Sequence, residues 1–146
     1  LELLNSPGFL ENIGDRGVRD EEQARAYISD RVLASYRDHG FGMWLAEQKA
    51  SRRPVGLAGL VRREGLEHPD VGYAFVQRAW GQGYAQEAAA AVLAHARGSL
   101  GIAVLAAITT PENFASMAVL RKIGFTYQGM IELPGVERES SYFTCP

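Results

Sequence analysis

The chain has 146 residues, 47% hydrophobic and 22% charged, enough apolar matter for one packed core and too short for a second. Lys and Arg number 15 against 17 Asp and Glu, a net charge of -2, so nothing draws the molecule as a whole to a nucleic acid backbone or an anionic membrane. One cysteine, Cys145, and three scattered histidines, His39, His68 and His95, exclude an internal disulfide and show no ligand spacing, so no metal is expected.

The first residues read as a helical stretch through Leu1, Leu3 and Leu4 that ends at Pro7-Gly8 and turns into Phe9 to Ile13. Asp20 stands three residues before Gln23, the spacing of an N-cap, and predicts a helix from Glu21 to Ser35 with Ala24, Tyr27, Ile28 and Val32 on its inner face. Met43 to Ala46 and Val55 to Val61 read as antiparallel strands joined by a short polar connection. A charged connection, Arg62 to Asp70, leads into Val71 to Val76, whose two faces are both apolar, as in a central strand.

Gln77 to Gly83 is a Gly-rich turn, followed by an Ala-rich helix, Tyr84 to Arg97, with Ala85, Ala88, Ala89, Val92, Leu93 and Ala96 as packing positions. Ile102 to Ile108 is a buried strand that stops before Pro111, and Asn113 to Ile123 a helix ended by Gly124. Phe125 to Leu133 and Glu139 to Phe143 close the chain as strands around Pro134-Gly135. The order predicts one α/β domain over residues 1–146, with a mixed, mostly antiparallel central sheet and flanking helices. No apolar run is long enough for a bilayer and no leader pattern opens the chain, so a soluble, cytoplasmic protein is expected. The absence of an initial Met suggests that an N-terminal piece is missing.

Chemistry concentrates in the turn from Gln77 to Gly83. A Gly-rich passage from strand to helix lets several backbone N–H groups converge, and the helix start adds unpaired donors and a positive dipole end. Gly81 and Gly83 permit the dihedrals such a cradle needs, and Arg78 stands at its rim. No Gly-Lys-Ser/Thr follows, and the antiparallel strands ahead of it speak against a dinucleotide fold.

The run Arg78-x-x-Gly81-x-Gly83 resembles the diphosphate-binding motif of the GNAT superfamily of N-acetyltransferases, and Trp80 to Ala88 resembles the form found in the branch that acetylates ribosomal-protein N-termini. Asn113 to Ser116 and Val119 to Phe125 form a second stretch at the expected place after a strand. The resemblance implies acetyl-CoA as cosubstrate, held in a V-shaped opening between a splayed parallel pair, strands 71–76 and 102–108. It implies backbone groups of Phe75 and Val76 on the pantetheine arm and the amides of Gln82, Gly83, Tyr84 and Ala85 on the diphosphate, with Asn113 on the far side of the arm. Asn113 has a second candidate task as a helix cap. Family members begin with a further strand, which this sequence would lack, and a homodimer is among the expectations.

For catalysis the family's usual proton donor is a Tyr seven residues after the motif Asn, and here that position is Leu120. The resemblance to the ribosomal-protein branch implies Ser116 as the acid beside the sulfur instead, with a plain helix-start hydroxyl as the alternative. Asp70, with Glu67 and His68 close by, is the candidate base for the amine, and Tyr73 and Trp44 are candidates for lining the acceptor channel. Glu87 reads as a brace, and Arg52, Arg53, Arg62 and Arg63 as solvated surface charges. The expected activity is transfer of acetyl to a primary amine, a protein N-terminus or a small molecule, with a non-catalytic CoA-binding or protein-interaction domain as the alternative.

Overall fold

The computed structural model describes residues 1–146. Helix α1 spans Pro7–Asn12, after a short 3-10 turn at Leu3–Asn5. Pro7-Gly8 therefore opens a helix where the sequence suggested a stop. Proline has no N–H to lose in the first turn, where the helix has no acceptor for it. Helix α2, Glu21–Tyr27, is capped as expected: Asp20 accepts from the Gln23 amide at 2.8 Å, and Gln23 Oε1 accepts from the Arg19 amide at 2.7 Å. Winding then continues through a π segment, Ile28–Leu33, and α3, Ala34–His39, ending at Gly40 with φ +75°. The wider π turns break the 3.6-residue register, so Ile28, predicted inward, is 50% exposed.

Six strands form one sheet in the order β1-β2-β3-β4-β6-β5. They are β1 Met43–Glu47, β2 Pro54–Val61, β3 Asp70–Phe75, β4 Leu105–Thr109, β5 Thr126–Ile131 and β6 Ser140–Cys145. Only β3 and β4 run parallel; every other neighbouring pair is antiparallel. The sheet is thus the mixed, mostly antiparallel one expected. At Gly59 an added Cβ would lie 2.2 Å from the Gly42 carbonyl oxygen, so close approach of β1 and β2 requires glycine there.

Helix α4, Tyr84–Gly98, and α5, Phe114–Lys122, cover one face. Ala89, Val92, Leu93 and Ala96 of α4 recur at helical spacing and pack with Met117 and Leu120 of α5 on Leu60, Val71, Leu105, Ala107 and Phe143 of the sheet. The opposite face is covered in two patches. Leu4, Phe9 and Val18 lie against Ala74, and Leu66 and Leu133 against Ala106. The residues 102–104, read as strand from their apolar run, form the approach to β4, with the Ile102 amide bonded to the Ala96 carbonyl at 3.0 Å.

Leu60 is fully buried, whereas Leu45 on the edge strand is 59% exposed. Leu60→Ala is expected to cost roughly 2–5 kcal/mol and Leu45→Ala no more than about 0.5 kcal/mol, read as the difference in urea-unfolding free energy between the variants.

Candidate functional site

The parallel strands meet at a single register point, Asp70 opposite Ala106, where the Ala106 amide donates to the Pro69 carbonyl at 2.9 Å. Beyond it β3 and β4 part. The Val76 amide donates to the Val55 carbonyl at 3.0 Å, and its own carbonyl accepts from Ala79 at 2.9 Å. Val76 therefore faces β2. Since backbone groups alternate sides along a strand, those of Tyr73 and Phe75 face the opening. The Phe75 carbonyl is taken by the Trp80 indole N–H at 2.7 Å, which leaves its amide and both groups of Tyr73 turned toward β4. Of the two residues expected on a pantetheine arm, Phe75 is the one placed to offer a backbone donor there.

Next to the opening lies the Gly-rich turn. Gly81 and Gly83 have φ of +72° and +84°, and a Cβ at either would meet nothing within 4 Å, so glycine is needed for conformation and not for room. Gly83 precedes α4 without a side-chain cap. The Glu87 amide returns to the Gly83 carbonyl at 3.0 Å, so the amides of the turn before it have no helical acceptor. This donor set, exposed and at the positive end of a 15-residue helix, fits a diphosphate. Tyr84 stacks on Phe75 with centroids 6.4 Å apart and accepts from Gln48 Nε2 at 2.9 Å, tying the helix start to the strands. Gln82 Nε2 donates to the Arg78 carbonyl at 2.9 Å. Arg78 itself is paired with Glu2 and donates to the Pro54 carbonyl at 3.2 Å, which directs its guanidinium along β2.

Asn113 caps α5, its Oδ1 accepting from the Ser116 amide at 3.0 Å. The Ser116 hydroxyl lies 2.8 Å from Tyr73 Oη, which comes across from β3. Burial pushes the Tyr73 phenol up to about 12, against the pull of its bond to Ser116 and with a smaller push from the Asp70 charge. Leu120 is 1% exposed and belongs to the core between helices and sheet.

Asp70 is 2% exposed. Its Oδ2 accepts from Arg63 Nε at 3.0 Å and Nη2 at 2.9 Å, while Oδ1 is buried without a hydrogen-bond partner. Burial raises its pKa to about 6, opposed by the charge and hydrogen bonds of Arg63 and by the Ile108 amide. Arg63, read as a solvated charge, is thus the partner of a buried carboxylate. Asp70 shares its face with Ala106 and Leu66, opposite the face of Tyr73 and Ser116. The structure does not bring Asp70 and Ser116 together; it places them on the two sides of the parted strands. Glu67 is largely exposed and lies 3.9 Å from His68. Trp44 packs on Tyr36 and His95, two strands from the opening. Thr109, missed in the sequence, ends β4 with a second buried and unpartnered oxygen. No group of His, Cys, Asp and Glu could hold a metal ion, and no helix is long and apolar enough to cross a membrane.

The model of the acetyltransferase (GNAT) domain family matches residues 1–126, and the chain belongs to that family. It is 34% identical over 132 residues to the uncharacterized protein YkkB of Bacillus subtilis, covering 88% of this chain and 74% of that protein. Among solved structures it resembles an acetyltransferase from Agrobacterium tumefaciens, with a TM-score of 0.80 at 22% identity over 99% of this chain and 81% of that one. It also resembles RimL, a ribosomal L7/L12 alpha-N-protein acetyltransferase in complex with coenzyme A, with a TM-score of 0.74 at 21% identity over 88% of this chain and 74% of that one. At these identities the structural likeness shows the fold, and ribosomal-protein acetyltransferases are one of several kinds that match at this level.

Asp70 holds its proton more tightly when folded, so it favours the folded state fully below about pH 4, and that contribution is lost as pH rises toward about 6. Relative to Asp70→Asn, the native chain is expected to lose on the order of 1–3 kcal/mol across this window and to stay level above it, measured by urea unfolding at stepped pH.

Proposed function

We propose that the chain transfers an acetyl group from acetyl-CoA to a primary amine, a protein N-terminal amine or a small-molecule amine. The observation that carries this reading is the parted β3 and β4 beside the uncapped first turn of α4. The opening offers strand amides for an amide-bearing arm, and the helix start offers donors for a diphosphate, in one continuous surface. Family membership and the coenzyme A complex of RimL support the cosubstrate, and the likeness of Trp80 to Ala88 to the ribosomal-protein branch supports a protein N-terminus as acceptor.

Acetyl-CoA supplies an acyl carbon activated as a thioester. The protein's part is to hold the diphosphate on the amides from Gln82 to Ala85, align the arm along Tyr73 and Phe75, and present the amine to the carbonyl as a free base. Asp70 Oδ1, buried and lacking a donor, is the acceptor for the amine proton, and Arg63 on Oδ2 keeps the carboxyl from staying protonated at neutral pH. The Ser116 hydroxyl serves the departing sulfur. A CoA-binding domain without turnover is the second reading, favoured by Leu120, a core side chain where the family places its tyrosine donor.

Calorimetric titration with acetyl-CoA is expected to give saturable one-to-one binding, weakened at least roughly 100-fold by joint Gly81→Val and Gly83→Val, since a branched side chain resists positive φ. A folded native chain that binds no acetyl-CoA would sink the reading. Thiol release that depends on an added alanine-initiated peptide or spermidine separates transferase from binding domain. In the transferase, Asp70→Asn is expected to lower kcat/KM by about 100-fold and to remove an acid limb centred near pH 6.

A further inference from the structure

Tyr73 Oη lies 2.8 Å from Ser116 Oγ and 3.1 Å from the Ser116 carbonyl oxygen. Two hydroxyl hydrogens are thus shared among three oxygens. In one arrangement Tyr73 donates to the carbonyl and Ser116 donates to Tyr73 Oη, and both hydrogens are consumed within the pair. In the other, Tyr73 donates to Ser116 Oγ and the serine hydrogen points away from the pair. The change does not orphan the carbonyl. Ser116 is the third residue of α5, where a helical carbonyl also receives the amide four residues on. Only two C–O rotations separate the arrangements.

The pair is fixed from both sides. Asn113 Oδ1 pins the Ser116 amide at 3.0 Å, and Tyr73 comes from the strand that borders the opening. We propose that Tyr73 is a positioning residue for Ser116: by donating to Ser116 Oγ it turns the serine hydrogen toward a thiolate in the opening, so that the two hydroxyls recognise the ionised sulfur of CoA. This rests on the cosubstrate reading above.

No proton need leave either hydroxyl. When the amine nitrogen bonds to the acyl carbon, the C–S bond breaks and its electron pair goes to sulfur. The surplus proton on nitrogen passes to Asp70 or water, and the thiolate leaves hydrogen-bonded to Ser116, taking its proton from water after release. A phenol that stays protonated up to about 12 is a donor throughout the working range and never a base. Asp70, on the other face, is the charged group that acts on it, and it too keeps the proton on Tyr73.

The test needs no acceptor. CoA and desulfo-CoA, in which hydrogen replaces the thiol, are titrated calorimetrically into the native chain at stepped pH, from about 7 up to the value at which the ultraviolet thiolate band shows free CoA ionised, and compared at that upper value. CoA is expected to bind about tenfold more tightly than desulfo-CoA, as a hydrogen bond to a charged sulfur requires. Tyr73→Phe and Ser116→Ala should each reduce that preference below about twofold, and the double variant should reduce it no further, the mark of a shared interaction. Affinity for desulfo-CoA should stay within about twofold in all variants, which damage to the fold would not allow. A Tyr73→Phe chain that keeps the native preference overturns the proposal. So does a preference that does not shrink at about pH 7, where the thiol is neutral. Native binding of both ligands with equal affinity overturns the proposal and leaves the cosubstrate reading standing; native binding of neither overturns both.

Discussion

Everything at the site depends on β3 and β4 meeting at one register point and then separating. Strands β1 to β3 form one continuous antiparallel ladder and β4, β6 and β5 another, so the sheet is two halves joined by very little backbone. What joins them is burial. Leu60 and Val71 of the first half and Leu105, Ala107 and Phe143 of the second pack into the same core beneath α4 and α5. Hydrophobic contact is non-directional, so it can hold the halves together at one face while strand amides remain turned toward the gap. Ladder hydrogen bonds, had they closed the gap, would have consumed those amides.

The separation also divides the chemistry. The carboxyl of Asp70 lies on one face of the sheet at the register point where the strands still pair, and the hydroxyls of Tyr73 and Ser116 lie on the other, beside the gap that opens beyond it. A ligand that engages both must pass between the strands, which brings its reacting atoms through a fixed line of backbone donors. Orientation is then supplied by the fold, and few side chains are asked to do it.

The elements that build this site were legible because local rules govern them. The alanine periodicity of α4, the two glycines before it and the apolar run of β3 each carry their own signal, and the structure places them within a residue or two of the expected bounds. The π segment was not legible, since a one-residue change in hydrogen-bond spacing leaves no mark on composition, and its effect is seen only in the exposed Ile28 and Leu33. Contacts between distant segments were also hidden. Tyr73 and Ser116 are 43 residues apart, and neither residue type nor spacing announces their hydrogen bond. Arg63 stands in a charged run indistinguishable from its solvated neighbour Arg62 until the loop folds back over Asp70. The indole of Trp80 on the Phe75 carbonyl is local, five residues apart, and an aromatic residue beside a tight turn next to a strand end was the signal that could have found it.

Arg78 is the one cation of the Gly-rich turn, and its charge is already committed to Glu2 and to the Pro54 carbonyl. The cradle is therefore built from neutral dipoles. Mobile ions screen a point charge over about 8–10 Å at ordinary ionic strength, but they have little purchase on amides in direct contact with a ligand oxygen. Affinity for a doubly charged group on this loop would thus fall less steeply with added salt than that of a lysine-lined site, and the first residues of the chain, through Glu2, would contribute to that difference from outside the loop.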